Sequence, residues 1–181
     1  PLRLPRRRAP ADLSVGLQSR RLVRSDLLQF AGSLGKAAGE FLLEKYPSLS
    51  QSGISASEIG GIVAAAALTH DIGNPPFGHA GEEAISDFFK FHPAGLSWQK
   101  HLRPEQWIDL CQFEGNAQGF RMLVSKQYGL KLTYATLAAF TKYPRPSQIA
   151  HRDIARRSQK KFGFFINQLA DFEQMTDFLG I

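Results

Sequence analysis

The chain carries one cysteine, Cys111, in 181 residues. An intrachain disulfide is therefore excluded, and the usage suits a reducing compartment. We expect a cytoplasmic protein with Cys111 as a small core residue. Long apolar runs are also missing: the longest, Ile62–Leu68, falls far short of the roughly 20 residues that span a bilayer. The basic N-terminus has no apolar segment behind it and does not read as a secretory signal. No convincing strand-like alternation, internal repeat or Walker-type glycine loop occurs, which argues against a sheet protein, a solenoid and a P-loop nucleotidase. The formal net charge is +6, but seven arginines and one acid fall within residues 1–24, leaving fifteen Lys and Arg against fifteen Asp and Glu. The basicity belongs to a tail, not to a domain face.

What is present is apolar mass: 43% hydrophobic residues and fourteen phenylalanines, enough for a core in one domain. The expected division is a basic, Arg/Pro-rich segment 1–31, then a helical domain 32–181. The first segment reads as a disordered arm or as a site of weak phosphate contact with nucleic acid. Leu27, Leu28, Ala31, Leu34, Ala38, Phe41 and Leu42 follow a helical period as far as Tyr46. Ser55 to Glu58 offers N-caps for a helix whose inner stripe is Ile59, Ile62, Val63, Ala66 and His70. Further helices are expected over 80–89, 113–128 and 133–143, the last stopped by Pro144. Phe162, Phe164, Phe165 and Leu169 read as core packing, and His92 and His101 as surface or loop residues.

The chemistry is concentrated in Thr69–Glu83, where His70, Asp71, His79, Glu82 and Glu83 fall within fifteen residues. Gly73-Asn74-Pro75-Pro76-Phe77-Gly78 joins the two histidines. Prolines fix φ and glycines widen it, so this is a shaped loop rather than a helix or strand. His70 and Asp71 sit at a helix end, where neighbouring side chains can converge on one divalent cation; imidazole and carboxylate suit Mn, Fe, Co, Ni or Zn, with Mg also considered. Glu82 and Glu83 fall in the first turn of the next helix, favoured by its dipole. His79 and Glu82, three apart, can face the same way. Lys142 and Tyr143 at a helix end suit anion binding.

The string from His70 to Glu82 resembles the HD-domain deoxynucleoside triphosphate triphosphohydrolases, the deoxyguanosine triphosphatase family. Phe113-Glu114-Gly115-Asn116-Ala117-Gln118, Leu132-Thr133-Tyr134-Ala135-Thr136-Leu137 and Lys142-Tyr143-Pro144 resemble the same family in the same order. The resemblance implies an all-α HD-domain helical bundle that hydrolyses a deoxynucleoside triphosphate, dGTP foremost, to deoxynucleoside and inorganic triphosphate. It implies His70 and Asp71 as metal ligands, His79 and Glu82 as catalytic residues, and Asn116, Lys142 and Tyr143 as substrate contacts. A homo-oligomer is implied for the full-length protein. The family's first histidine ligand has no counterpart: Arg24 stands near its place and offers no lone pair. Nothing near Asp171 or Asp177 resembles the family's later aspartate ligand. The chain, which begins without Met, therefore reads as a C-terminally truncated piece with two of four ligands and weak activity of its own. An inactive nucleotide-binding or partner-binding module, or another HD-type phosphohydrolase, remains open.

Overall fold

In a computed structural model the chain is described over residues 13–125, 129–148 and 161–181, with side chains from Asp26 onward. The start of the basic segment, residues 1–12, and the Arg24 side chain lie outside these. The fold is an all-α helical bundle. Nine α-helices are named here in order: α1 (Leu13–Lys45), α2 (Pro47–Gln51), α3 (Ala56–Thr69), α4 (His79–Phe91), α5 (Pro93–Leu96), α6 (Pro104–Cys111), α7 (Gly115–Val124), α8 (Tyr134–Phe140) and α9 (Leu169–Leu179). Among the described residues strand-like pairing is confined to one isolated bridge between Pro146 and Phe164. No helix among them is long and apolar enough to cross a membrane.

α1 is continuous through residues 31 and 32. It packs along α3, but not on the stripe its periodicity suggests. Leu27, Leu34, Phe41 and Leu42 are exposed, Phe41 by 62%. The contact face is glycine. A Cβ at Gly35 would stand 2.7 Å from Val63 Cβ, and one at Gly39 would stand 3.1 Å from both Ala56 Cα and Ile59 Cβ. The missing side chains let the two backbones approach closely.

α3 opens with Ser55 as its N-cap, in a capping box: Ser55 Oγ accepts from Glu58 N–H, and the Glu58 carboxylate accepts from Ser55 N–H. The core lies farther along the chain, in Phe120, Leu123, Leu137, Phe140, Phe164 and Met175, joined by Ala66 of α3. Phe164 stacks on Phe172 with ring centroids 4.2 Å apart. Ala117, Phe162 and Phe165 make a second cluster with Phe113. The phenylalanines at 162–165 thus do pack as core, each stabilising by about 1.5–3 kcal/mol, but from an extended segment ahead of α9. Ser147 N–H donates to Phe164 O at 2.9 Å and Gly163 N–H to Arg145 O at 3.1 Å. These bonds lay residues 161–165 beside residues 143–147 and bring Lys161 to the end of the α8 region.

Candidate active site

His70 is the C-cap of α3. Its Nδ1 lies 2.6 Å from Ala67 O. A carbonyl oxygen only accepts, so Nδ1 carries the proton and Nε2 is the open nitrogen. Nε2 stands 2.9 Å from Asp71 Oδ2. In the neutral ring both atoms are lone-pair donors, and two such atoms repel unless a proton or a cation lies between them. Asp71 is oriented by Asn74, whose Nδ2 donates to Asp71 Oδ1 at 2.8 Å.

The connector then turns back on itself. Phe77 has φ 70°, a left-handed value costly for a bulky residue, and is 92% exposed at the loop tip. Gly78 follows at φ 57° as the N-cap of α4. This pair of positive-φ residues reverses the chain so that His79 opens α4 beside the loop. The base of the loop is pressed onto α7. A Cβ on Gly73 would fall 2.1 Å from Gly119 N and 2.2 Å from Gly115 O.

His79 Nε2 lies 2.9 Å from Lys161 Nζ. An ammonium only donates, so Nε2 accepts. Lys161 Nζ also donates to Glu114 Oε1 at 3.3 Å. Glu114 caps α7 and accepts from Asn116 Nδ2 at 2.7 Å. The chain His79–Lys161–Glu114–Asn116 is therefore continuous. Glu82 lines the same cleft as His79, and among the described residues it makes no hydrogen bond to it. Its buried Oε1 accepts from Gly115 N–H at 2.9 Å, at the N-terminus of α7.

α8 ends at Phe140, so Lys142 and Tyr143 lie just past the helix rather than in it. One cleft of about 170 Å³ is lined by His70, Asp71, His79, Glu82, Asn116, Lys142 and Tyr143, together with Asn74, Gly78 and Lys161. All seven residues singled out from the sequence share this cleft. Lys161, Glu114 and Asn74 were not singled out. Lys161 lies 82 residues from His79, and no periodicity marks it. Glu83 is exposed, and among the described residues no third His, Cys, Asp or Glu stands with His70 and Asp71.

The chain is 42% identical over 154 residues to a deoxyguanosinetriphosphate triphosphohydrolase-like protein of Pseudomonas aeruginosa (strain LESB58), covering 82% of this chain and 33% of the relative. It is 40% identical over 171 residues to a protein of the same name from a Synechocystis strain, covering 89% and 38%. No family model matches. The chain is a homologue of one portion of the deoxyguanosinetriphosphate triphosphohydrolase-like proteins. A protein of Enterobacter sp. (strain 638) named deoxyguanosinetriphosphate triphosphohydrolase is 37% identical over 145 residues, covering 66% of this chain and 29% of that protein. The chain spans about a third of the length of the curated relatives it matches.

The donor set fits a divalent cation. Ligands at about 2.0–2.2 Å from one ion and roughly at right angles stand about 3 Å apart, and the observed Nε2 to Oδ2 separation is 2.9 Å. The carbonyl that fixes the His70 tautomer is the outer partner that metal-binding histidines use.

Proposed function

We propose that this cleft hydrolyses a deoxynucleoside triphosphate, dGTP foremost, to the deoxynucleoside and inorganic triphosphate, with a divalent cation (Mg, Mn, Fe, Co, Ni or Zn) held by His70 and Asp71. The observation that carries the proposal is the facing of two acceptors, His70 Nε2 and Asp71 Oδ2, at 2.9 Å in a cleft that also presents two lysines, a tyrosine and a second histidine. A cation bound there would supply Lewis-acid polarisation of a phosphoryl oxygen.

The remaining chemistry belongs to the chain. Lys142 and Lys161 offset the charge of a triphosphate, and the Tyr143 hydroxyl donates to a phosphoryl oxygen. Water attacks the α-phosphorus, the bond to the 5′-oxygen breaks, and triphosphate remains whole. His79 moves the proton between the attacking water and the departing 5′-oxygen through Nε2, which Lys161 Nζ holds until it turns to the triphosphate. Asn116 commits its Nδ2 to Glu114, leaving its carbonyl oxygen as an acceptor for a sugar hydroxyl. Glu82 acts through α7: by holding Gly115 N–H it positions Asn116 and Glu114. The setting we infer is the cytoplasm, with a homo-oligomer as the assembled form and the Arg-rich segment as a weak phosphate contact.

The test is inorganic triphosphate release from each dNTP by the protein and its variants. His79→Ala is expected to lower kcat about 10²–10⁴-fold while bound metal stays unchanged. His70→Ala and Asp71→Asn should lose the metal. Unchanged turnover in His79→Ala overturns the assignment, and release of phosphate or pyrophosphate in place of triphosphate points to another HD-type reaction. A second reading, nucleotide binding without turnover, is favoured by the absence of a third ligating side chain at the pair among the described residues. Tight dNTP binding with no triphosphate released would establish it.

A further inference from the structure

Lys161 is held at both ends. Its ammonium reaches His79 Nε2 and Glu114 Oε1 in the cleft. Its main-chain carbonyl accepts from the Arg145 guanidinium, from Nε at 2.6 Å and from Nη2 as well. We propose that Arg145 is a positioning residue of the cleft: it grips the Lys161 backbone and so sets where the Lys161 ammonium stands. What Lys161 then does to substrate rests on the reading of the cleft as a triphosphate hydrolase; how Lys161 is held rests on the geometry alone.

The guanidinium makes the grip specific. Its donors lie in one rigid plane, so Nε–H and an Nη2–H can close on a single carbonyl oxygen. Bonds from a charged donor are about twice as strong as neutral ones. This one joins residues 16 apart in the sequence. Arg145 also stands just past Lys142 and Tyr143, which line the same cleft as Lys161. Its N–H donates to Tyr143 O at 2.7 Å, and its own carbonyl accepts from Gly163 N–H at 3.1 Å. One residue thus fixes the spacing between the two segments that offer cations to a triphosphate.

The residues after Lys161 are anchored in another way. Phe162, Phe164 and Phe165 are buried in the core, and Ser147 N–H holds Phe164 O at 2.9 Å. Lys161 comes before this run and is only half-buried. Removing the guanidinium therefore leaves the core anchors in place and frees the Lys161 backbone. A lysine head rides on a flexible four-carbon stem, so the position of its backbone limits where the charge can stand. The Arg145 bond keeps that charge within reach of His79 in the empty cleft and of a triphosphate in the filled one.

The His79 imidazole reports where Lys161 stands. With Lys161 Nζ donating to Nε2, the neutral ring keeps its proton on Nδ1. ¹⁵N spectra of histidine-labelled protein at about pH 8, where an ordinary imidazole is neutral, read that tautomer; the His79 signals are those missing from His79→Gln. Lys161→Ala is expected to leave the proton free to sit on either nitrogen, and Arg145→Ala to move the His79 signals the same way. Arg145→Lys keeps the charge but offers a point donor in place of a fork, and should recover only part of the change. In kcat/KM for triphosphate release, Arg145→Ala should cost about tenfold with Lys161 present and less than about twofold where Lys161 is already alanine. His79 signals unchanged in Arg145→Ala overturn the proposal. So do equal losses in the two backgrounds, which would mean that Arg145 acts on its own, and full recovery in Arg145→Lys, which would mean that charge is enough. A parent protein that releases no triphosphate overturns the reading of the reaction and leaves the His79 signals to decide the role of Arg145.

Discussion

The two sides of α7 are built to different standards. Toward the base of the His70–Gly78 loop the packing is backbone to backbone: a Cβ on Gly73 would fall on Gly119 N and Gly115 O, and Glu82 takes up the Gly115 N–H. Toward α6 there is a cavity, and buried Asp109 Oδ2 has no hydrogen-bond partner among the described residues. The first side holds catalytic candidates in fixed positions, which a reaction needs when geometry is worth most of the barrier. The second side buries an acceptor that is not fully matched. A single ten-residue helix can thus be rigid by contact on one face and open on the other.

The sharpest way to break the contrast is Gly73→Ala. Its Cβ would meet backbone atoms at 2.1 and 2.2 Å, and backbone cannot swing aside. We expect a loss of about 3 kcal/mol or more, read as a large drop in the thermal midpoint, together with loss of metal binding as His70 and Asp71 shift. A variant that melts like the parent would show that the loop is loosely held.

Next in size is Glu82→Ala. It strands a buried N–H at the start of α7 and should cost about 1–3 kcal/mol. Glu82→Gln keeps an acceptor for Gly115 N–H and should recover most of the stability. Equal melting of the two variants would show that the hydrogen bond contributes little.

Much of the dense side was legible in the sequence. N-cap residues before α3, a helix end at His70, a Gly/Pro loop and seven polar residues mark it, and the structure gathers all seven in one cleft. What stayed hidden was carried by contacts without a local pattern. Lys161 reaches His79 because residues 161–165 lie along residues 143–147, and no window of the sequence contains that pairing. Helical spacing relates Glu82 to His79, but nothing local marks its hydrogen bond from Gly115 N–H, 33 residues away. In α1 the helix is legible from the sequence but its packing face is not, for a related reason. Hydrophobic periodicity weighs large side chains, so it favoured the stripe through Leu34 and Phe41; the packing face is made by Gly32, Gly35 and Gly39, which hydropathy scarcely registers.

On the open side the expected effect is smaller and depends on pH. Burial raises the Asp109 carboxyl, more than the hydrogen bonds from Ser147 and Gln148, the Ile166 N–H and the Arg121 charge lower it. The folded state therefore holds this proton more tightly than the unfolded chain does. That contribution to stability is whole below the ordinary aspartate value and is lost as pH rises through the raised folded value. Asp109→Asn cannot ionise. The thermal midpoint of the variant minus that of the parent should thus become more positive between about pH 3 and pH 7. A flat difference across that range would mean that Asp109 ionises alike in both states.

The smallest effect separates crowding from helix propensity. Gly60 and Gly61 are neighbours in α3. A Cβ on Gly60 would stand 2.9 Å from Gly32 O, a backbone atom of α1, whereas one on Gly61 would meet nothing within 4 Å. Both substitutions to alanine remove the same excess of unfolded-state freedom, which by itself favours the helix by about 0.5–1 kcal/mol. Gly61→Ala should show that gain as a small rise in thermal midpoint. Gly60→Ala should show a loss, because α1 must move away to admit the methyl group. If both variants rise together, α1 is held against α3 loosely enough to yield, and close backbone contact distinguishes only the loop side of α7. If Gly61→Ala alone rises, glycine contact is a general device of this bundle, used at α1 and α3 as it is used beneath the His70–Gly78 loop.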